Sequence, residues 1–283
     1  RRAFLGGGAL GTLAAMGLTA AEAYQSRYVN PYSPELTRFD LTLPERHPAL
    51  AGMRIGFISD THVGPFITQG DLIRAVDLVK AEKPDLILLG GDYISESPRF
   101  IPLAAEVLGE LVHAAPLGGV GVIGNHDLSV SGRQVSEIMG AAGIPILRNQ
   151  TASFPYNGDT LWIGGIDDTL VGDDQPAATF ARIPSGAAAI ALWHELGFAE
   201  LAPPQGAFAQ LSGHTHGGQI RIPGVGAVGL PIHGKRYVMG ANVADGMQIY
   251  TSRGVGVYRP PLRFNCPPEV SIITLKAAGG GRG

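Results

Sequence analysis

The chain is predicted to fold as an α/β protein: short apolar runs recur along it, and several are separated by stretches of helical periodicity. A third observation says where its chemistry should lie, because almost every apolar run ends in an Asp, Asn or His. The 283 residues, 45% of hydrophobic type, allow a sizeable core. Lys and Arg number 21 against 24 Asp and Glu, with no dense basic run, so the electrostatic footprint of a dedicated nucleic-acid binder is missing. An anionic substrate would have to be gripped locally. Cys266 is the single cysteine, which excludes an intrachain disulfide.

In chain order, Arg1 and Arg2 precede an apolar Gly/Ala/Leu stretch over 3–20 and then Ala21-Glu22-Ala23, an A-x-A cleavage candidate. This is the grammar of an export signal, and Arg1-Arg2-Ala3-Phe4-Leu5 is similar to the core of a twin-arginine signal. Residues 1–23 are therefore expected to be a signal or membrane anchor. The protein is expected to be exported, to the periplasm or the outer face of the cytoplasmic membrane. An ordinary apolar first helix is the plainer alternative. Residues 24–52 are Pro-rich and read as a tether with room for one edge strand. A single domain is expected over 53–276, and residues 277–283 form a Gly-rich tail expected to be disordered.

Within the domain, strands are predicted at 53–59, 86–89, 120–123, 161–165, 188–193 and 208–211, where apolar runs are short and bounded by turn residues. Helices are predicted at 71–82, with Leu72, Val76 and Val79 on one face, at 103–113 and at 133–141. After residue 218 the texture changes to Gly/Pro turns with apolar runs at 247–251 and 270–275, which predicts a second sheet there.

The strand ends carry the chemistry: Ser59-Asp60-Thr61-His62, Gly90-Gly91-Asp92, Gly124-Asn125-His126-Asp127, Trp193-His194 and Gly213-His214-Thr215-His216. In open α/β sheets, ligands bind beyond the carboxyl ends of the strands, so these five segments should converge on one rim. Carboxylate, amide and imidazole donors form a mixed O/N set suited to Mn, Fe, Zn or Mg, and the lack of thiolates argues against a structural zinc site. The glycines before Asp92, Asn125 and His214 should permit tight turns. Taken singly, Asp60, Asp92 and Asn125 could equally be turn or cap residues, and His194 an interior histidine. The ordered set is what distinguishes them.

D-x-H, G-G-D, G-N-H-D, a lone His and G-H-T-H, in this order from Asp60 to His216, resemble the calcineurin-like metallophosphoesterase superfamily. Gly217-Gly218-Gln219 and Thr251-Ser252-Arg253-Gly254 resemble its branch of exported bacterial phosphodiesterases related to UDP-2,3-diacylglucosamine hydrolase. The resemblance implies a four-layer αββα sandwich of two mixed sheets flanked by helices. It also implies two divalent ions, one held by Asp60, His62 and His216, the other by Asn125, His194 and His214, with Asp92 bridging them about 3.5–4 Å apart. A hydroxide between the ions would attack a phosphodiester or pyrophosphate bond, and His126 would stabilise the transition state or protonate the leaving oxygen. Asp127 would orient that ring or cap the next segment.

Protein phosphatases of the family carry G-D-x-x-D-R-G, whereas this chain reads Gly91-Asp92-Tyr93-Ile94-Ser95-Glu96-Ser97, which argues against a phosphoprotein substrate. Around His194 the sequence is looser than the H-x-P-D pattern of the branch. Arg253 is a candidate for bidentate contact with substrate phosphate, or else a surface ion pair. Asp167 and Asp168 are expected behind the ligands, and His47, His113 and His233 in packing or solvated roles. A small-molecule or lipid-linked phosphoester is the expected substrate, with membrane association through the N-terminal segment and no nucleic-acid partner. Two rivals stand beside it. A nucleotide or nucleic-acid phosphodiesterase should show a basic or aromatic lip, and a non-catalytic metal-binding module should lack several ligands.

Overall fold

The computed structural model describes residues 19–196, 206–232 and 234–279. Most of the expected export segment, His233 and the end of the Gly-rich tail lie outside the described residues. No described helix is long and apolar enough to cross a membrane.

Helix α1 (Ala20–Tyr24) leads into strand β1 (Glu35–Thr42), and β2 (Arg54–Ile58), α2 (Gln69–Ala81), β3 (Leu86–Leu89), α3 (Ile101–Ala114), β4 (Gly119–Gly121) and α4 (Asn125–Ala141) follow. The second half contains β5 (Gln150–Tyr156), β6 (Asp159–Gly165), α5 (Pro176–Phe180), β7 (Ala188–Leu192), β8 (Ala209–Ser212), β9 (Arg221–Ile222), β10 (Gly226–Ala227), β11 (Gly240–Ala244), β12 (Met247–Thr251) and β13 (Glu269–Lys276). One sheet has the order β1-β13-β2-β3-β4 and the other β11-β12-β8-β7-β6-β5, while β9 and β10 pair only with each other. Strands β2, β3 and β4 run parallel, as do β6, β7, β8 and β12, so each sheet has a block whose carboxyl ends point one way.

Side-chain alternation assembles the layers. Leu86 and Leu88 face the inter-sheet core with Ile55, Phe57, Ile163, Ile190 and Leu211, whereas Ile87 and Leu89 face the helices. Helix α2 buries Leu72, Ala75, Val76 and Val79, the i, i+3, i+4, i+7 face that the sequence predicted, and Thr68 with Asp71 closes its start as a capping box. On the far side of the second sheet, Phe180 of α5 packs with Ala189, Ala191 and Trp193. The layers are helix, sheet, sheet, helix, the sandwich that the resemblance implied.

Three differences from the sequence reading have physical reasons. The second sheet begins with β5 rather than after residue 218, and β13 crosses back to the first sheet between β1 and β2. An apolar strand suits either sheet, and periodicity carries no address. The predicted tether contributes β1, which pairs with β13 along all eight residues. Helix α4 starts at Asn125 rather than 133 because two helical pieces meet at Ser131, whose φ and ψ of −175° and 86° are not helical.

Tyr250 ties the two sheets through a polar contact in the core: its hydroxyl donates to Glu269 Oε1 and lies against Ser271 Oγ, both at 2.9 Å. Tyr250→Phe should leave the buried Glu269 carboxylate short of a donor and lower stability by about 1.5–3 kcal/mol. The urea midpoint measures this; an unshifted midpoint would mean the tie contributes nothing.

Candidate metal centre

Each site segment leaves a parallel strand at its carboxyl end: Asp60 and His62 follow β2, Asp92 follows β3, Asn125 follows β4, His194 follows β7, and His214 and His216 follow β8. Backbone hydrogen bonds fix these turns to one another. Asp60 N donates to Gly91 O (2.9 Å), His62 N to Asp92 O (3.0 Å) and Gly213 N to His194 O (3.0 Å). The join between the sheets is made by the Asp60 carboxylate, whose two oxygens accept from His214 N at 3.0 and 3.1 Å.

The backbone there is strained. Asp60, His62, Asp92, His214 and His216 have φ of 52°, 46°, 53°, 67° and 50°, in the left-handed region that L-residues avoid at a cost of about 1 kcal/mol each. Of the three glycines expected to free the backbone, only Gly91 has a positive φ, 87°. The other two are needed for space. A Cβ on Gly124 would stand 2.3 Å from Asp92 Oδ1, and one on Gly213 would stand 2.1 Å from Asp60 Oδ2.

All seven expected ligands meet. Asp60, His62 and His216 bring one donor atom each within 4.8 Å of one another, as do Asp60, Asp92 and His194. His62 Nε2 lies 3.0 Å from His216 Nε2, and Asn125 Oδ1 lies 3.1 Å from His214 Nδ1. The outer ring nitrogens are held by the protein: His194 Nδ1 bonds Gly90 O (2.7 Å), His62 Nδ1 bonds Ser95 Oγ (2.8 Å), and His214 Nε2 lies 3.3 Å from Ile232 O. Since carbonyls only accept, His194 Nδ1 and His214 Nε2 carry protons. His214 Nδ1 then faces the Asn125 oxygen as acceptor against acceptor, and buried His194 Nε2 has no hydrogen-bond partner. A cation satisfies both, so the residues fit a divalent metal.

Charge says the same of three of the four histidines. Burial pushes His62 down to about 3 and His214 to about 4, and burial with the neighbouring His62 and Arg263 holds His216 well below the usual range, leaving neutral rings with lone pairs. Burial works against ionising Asp92, yet His194 outweighs it and keeps the carboxyl well below its ordinary value. For His194 burial is again opposed, and Asp92 raises the ring well above its ordinary value. Asp60 is lifted by burial to about 6.

For the other candidates the structure chooses between the alternatives. Asp127 caps: its carboxylate accepts from Tyr93 N (2.9 Å) and Gly124 N (3.1 Å), which commits it to backbone and not to the His126 ring. Arg253 is not among the residues lining the cavity; Glu269 Oε2 and Glu35 Oε2 take its guanidinium at 2.7 and 3.2 Å. Arg259 stands at the cavity instead, paired with Glu96 at 2.7 Å. Asp167 binds Arg148 at 2.8 Å. His47 bridges Asp159 and Gly186 O at 2.9 and 2.8 Å.

Sequence reasoning missed two buried groups. Glu195 sits with His194 and His214, and burial together with Asp168 raises its carboxyl well above the ordinary value. Its place directly after His194 was the available signal. Arg263 is fully buried and donates to the carbonyls of Arg253 (2.8 Å), Gly254 (3.1 Å) and Gly256, clasping the loop beside Asp60. Nothing in its Pro-rich context marked it.

The site opens into a cavity of about 470 Å³, lined by Asp92, Asn125, His126, His214 and His216 and also by Ile220, Leu230, Ile232 and Tyr258. The family profile described as calcineurin-like phosphoesterase matches residues 53–218, which span the whole ligand set. The chain belongs to the calcineurin-like phosphoesterase family. This phosphoesterase is 34% identical to the uncharacterized metallophosphoesterase YkuE of Bacillus subtilis over 98% of each chain. It is 36% identical to the phosphodiesterase YaeI of Escherichia coli over 80% of this chain and 83% of that protein. The 5'-nucleotidase precursor of Thermus thermophilus superposes with a TM-score of 0.47 at 14% identity, over 72% of this chain and 49% of that one, too distant to bear on function. Family membership makes the protein a metal-dependent phosphoester hydrolase.

Gly213→Ala should push the Asp60 carboxylate aside and lower metal content and turnover together while far-UV circular dichroism stays native. Full metal content in that variant would show that the close approach at Gly213 is not needed.

Proposed function

We propose that the protein hydrolyses a phosphodiester or pyrophosphate bond at a centre of two divalent ions. The observation that carries this is the position of Asp92 Oδ2, 3.5 Å from His62 Nε2 and 3.2 Å from His194 Nε2, between the two groups of donors. Asp60, His62 and His216 would hold one ion, Asn125, His194 and His214 the other, and Asp92 both. When bound, such a pair supplies an activated water and positive charge against the phosphoryl oxygens. The remaining work falls to the chain. Asp92 Oδ1 accepts from His126 N at 2.9 Å, which fixes the start of α4 and sets the His126 ring 4.8 Å from His62 and 4.9 Å from Tyr258. From the cavity wall the His126 imidazole would stabilise the transition state or give a proton to the leaving oxygen.

A diester is favoured over a monoester because YaeI is named a phosphodiesterase and the chain lacks the phosphoprotein signature. An exported enzyme acting on an envelope glycolipid or phospholipid is supported by the export grammar of residues 1–23 and by the resemblance carried by Gly217-Gly218-Gln219 and Thr251-Ser252-Arg253-Gly254. Tyr258 and Arg259 at the cavity favour a second reading, a nucleotide diester whose base stacks on the tyrosine.

Metal analysis should find two divalent ions per chain, and the loaded enzyme should cleave bis-p-nitrophenyl phosphate faster than p-nitrophenyl phosphate. Asp92→Asn should reduce turnover roughly a thousandfold, as the loss of several kcal/mol of charge stabilisation implies. An equally active variant, or an enzyme that cleaves neither ester, overturns the mechanism. A nucleotide p-nitrophenyl ester cleaved much faster than the simple diester would select the second reading. Chelation should abolish turnover, and readdition of Mn, Fe or Zn should restore it.

A further inference from the structure

We propose that the β9–β10 ribbon seats this domain on an anionic lipid bilayer, so that the cavity beside the metal centre receives phosphodiesters embedded in that bilayer. The proposal rests on the phosphodiesterase reading and narrows its substrate to one presented by a membrane.

The ribbon stands apart from both sheets, two residues per strand. It and the loop that follows expose aliphatic side chains that a soluble surface would scatter singly: Val225, Val228 and Ile232 are 75%, 58% and 69% exposed. The same segment is also a cavity wall. Ile220, Leu230 and Pro231 line the same cavity as Asp92, Asn125, His214 and His216. An apolar group held against the ribbon therefore shares its cavity with the metal centre.

Charge points to the same partner. Although the chain carries a net charge of −3, residues 206–244 contain no Asp or Glu and include Arg221, Lys235 and Arg236. Aliphatic side chains flanked by cations, with no acid among them, suit the boundary of acyl chains and anionic headgroups.

A separate observation concerns the N-terminal segment. Ala23 packs with Ile220, Leu262 and Phe264, and Ser26 O accepts from Arg263 N at 2.9 Å, so the chain enters the domain at the root of the ribbon. The residues ahead of this point, 3–18, are almost wholly apolar in sequence.

The test uses the full chain. In Val225→Asp/Val228→Asp, hydrolysis of a chromogenic phosphodiester lipid in phosphatidylglycerol–phosphatidylcholine vesicles should fall about tenfold or more, because a docking contact is lost. Hydrolysis of soluble bis-p-nitrophenyl phosphate should be unchanged, which also shows that the variant folds. Equal vesicle rates for variant and parent overturn the proposal. A second measurement does not depend on turnover: Val228→Trp should be quenched by brominated phosphatidylcholine beyond the quenching of native Trp162 and Trp193. No added quenching overturns the proposal, as does shielding of that tryptophan that grows with protein concentration in the absence of lipid, since a second copy would then cover the ribbon. Failure of the parent to cleave the soluble diester would sink the phosphodiesterase reading, while quenching would still decide the docking.

Discussion

The carboxylate of Asp60 is the junction on which the centre depends. It belongs to a turn after the first sheet, yet both its oxygens accept from His214 N, which belongs to the second. Its own carbonyl receives Gly256 N, and its amide donates to Gly91 O. Four loops are fixed relative to one another by one residue, and they include those carrying Asp92 and His214. The close approach is possible because Gly213 and Gly254 have no side chain where a Cβ would stand 2.1 and 2.6 Å from Asp60 atoms. This join fixes the loops of the two sheets to each other at the site itself, where metal ligands tolerate displacements of only ~0.2 Å.

The centre is locally unfavourable in several ways at once. Five non-glycine residues sit at positive φ, imidazoles are stripped of water, and buried carboxylates lie side by side. Each feature costs free energy that only the surrounding structure can offset. Large aliphatic cores on both sides of the first sheet do so, together with the buried guanidinium of Arg263, whose charge is spread over the carbonyls of the 253–256 loop. A rigid, preformed set of donors is the result, which is what electrostatic stabilisation of a phosphoryl transition state requires. The cavity's opposite wall is differently made, from a short ribbon and Pro/Gly loops, and it reaches the donors through Ile232 O, which lies 3.3 Å from His214 Nε2.

Much of this was legible beforehand, and the reasons are local. The strands at 86–89 and 247–251 were read to the residue, because continuous apolar runs bounded by turn residues have few other uses. The convergence of the seven expected residues was legible because they follow strands in an order that chance does not produce. Less legible was anything set by a partner distant in sequence. Strand β5 was missed because Pro155 and weak alternation suit an edge strand, and β13 was assigned to the wrong sheet. Arg253 could be read as a phosphate contact or as an ion pair until Glu269 and Glu35 came beside it, while Arg263, the cation the centre leans on, looked like nothing.

The sequence by itself determined the alternation of strand and helix, the faces those elements bury and the chemical types gathered at the strand ends, since all three depend on spacing along one chain. Only the tertiary structure decided which carboxylate joins the sheets, which arginine lies at the cavity and which glycines serve as space rather than as hinges. Those outcomes depend on contacts between segments as far as 218 residues apart, and local periodicity holds no information about who the neighbour will be.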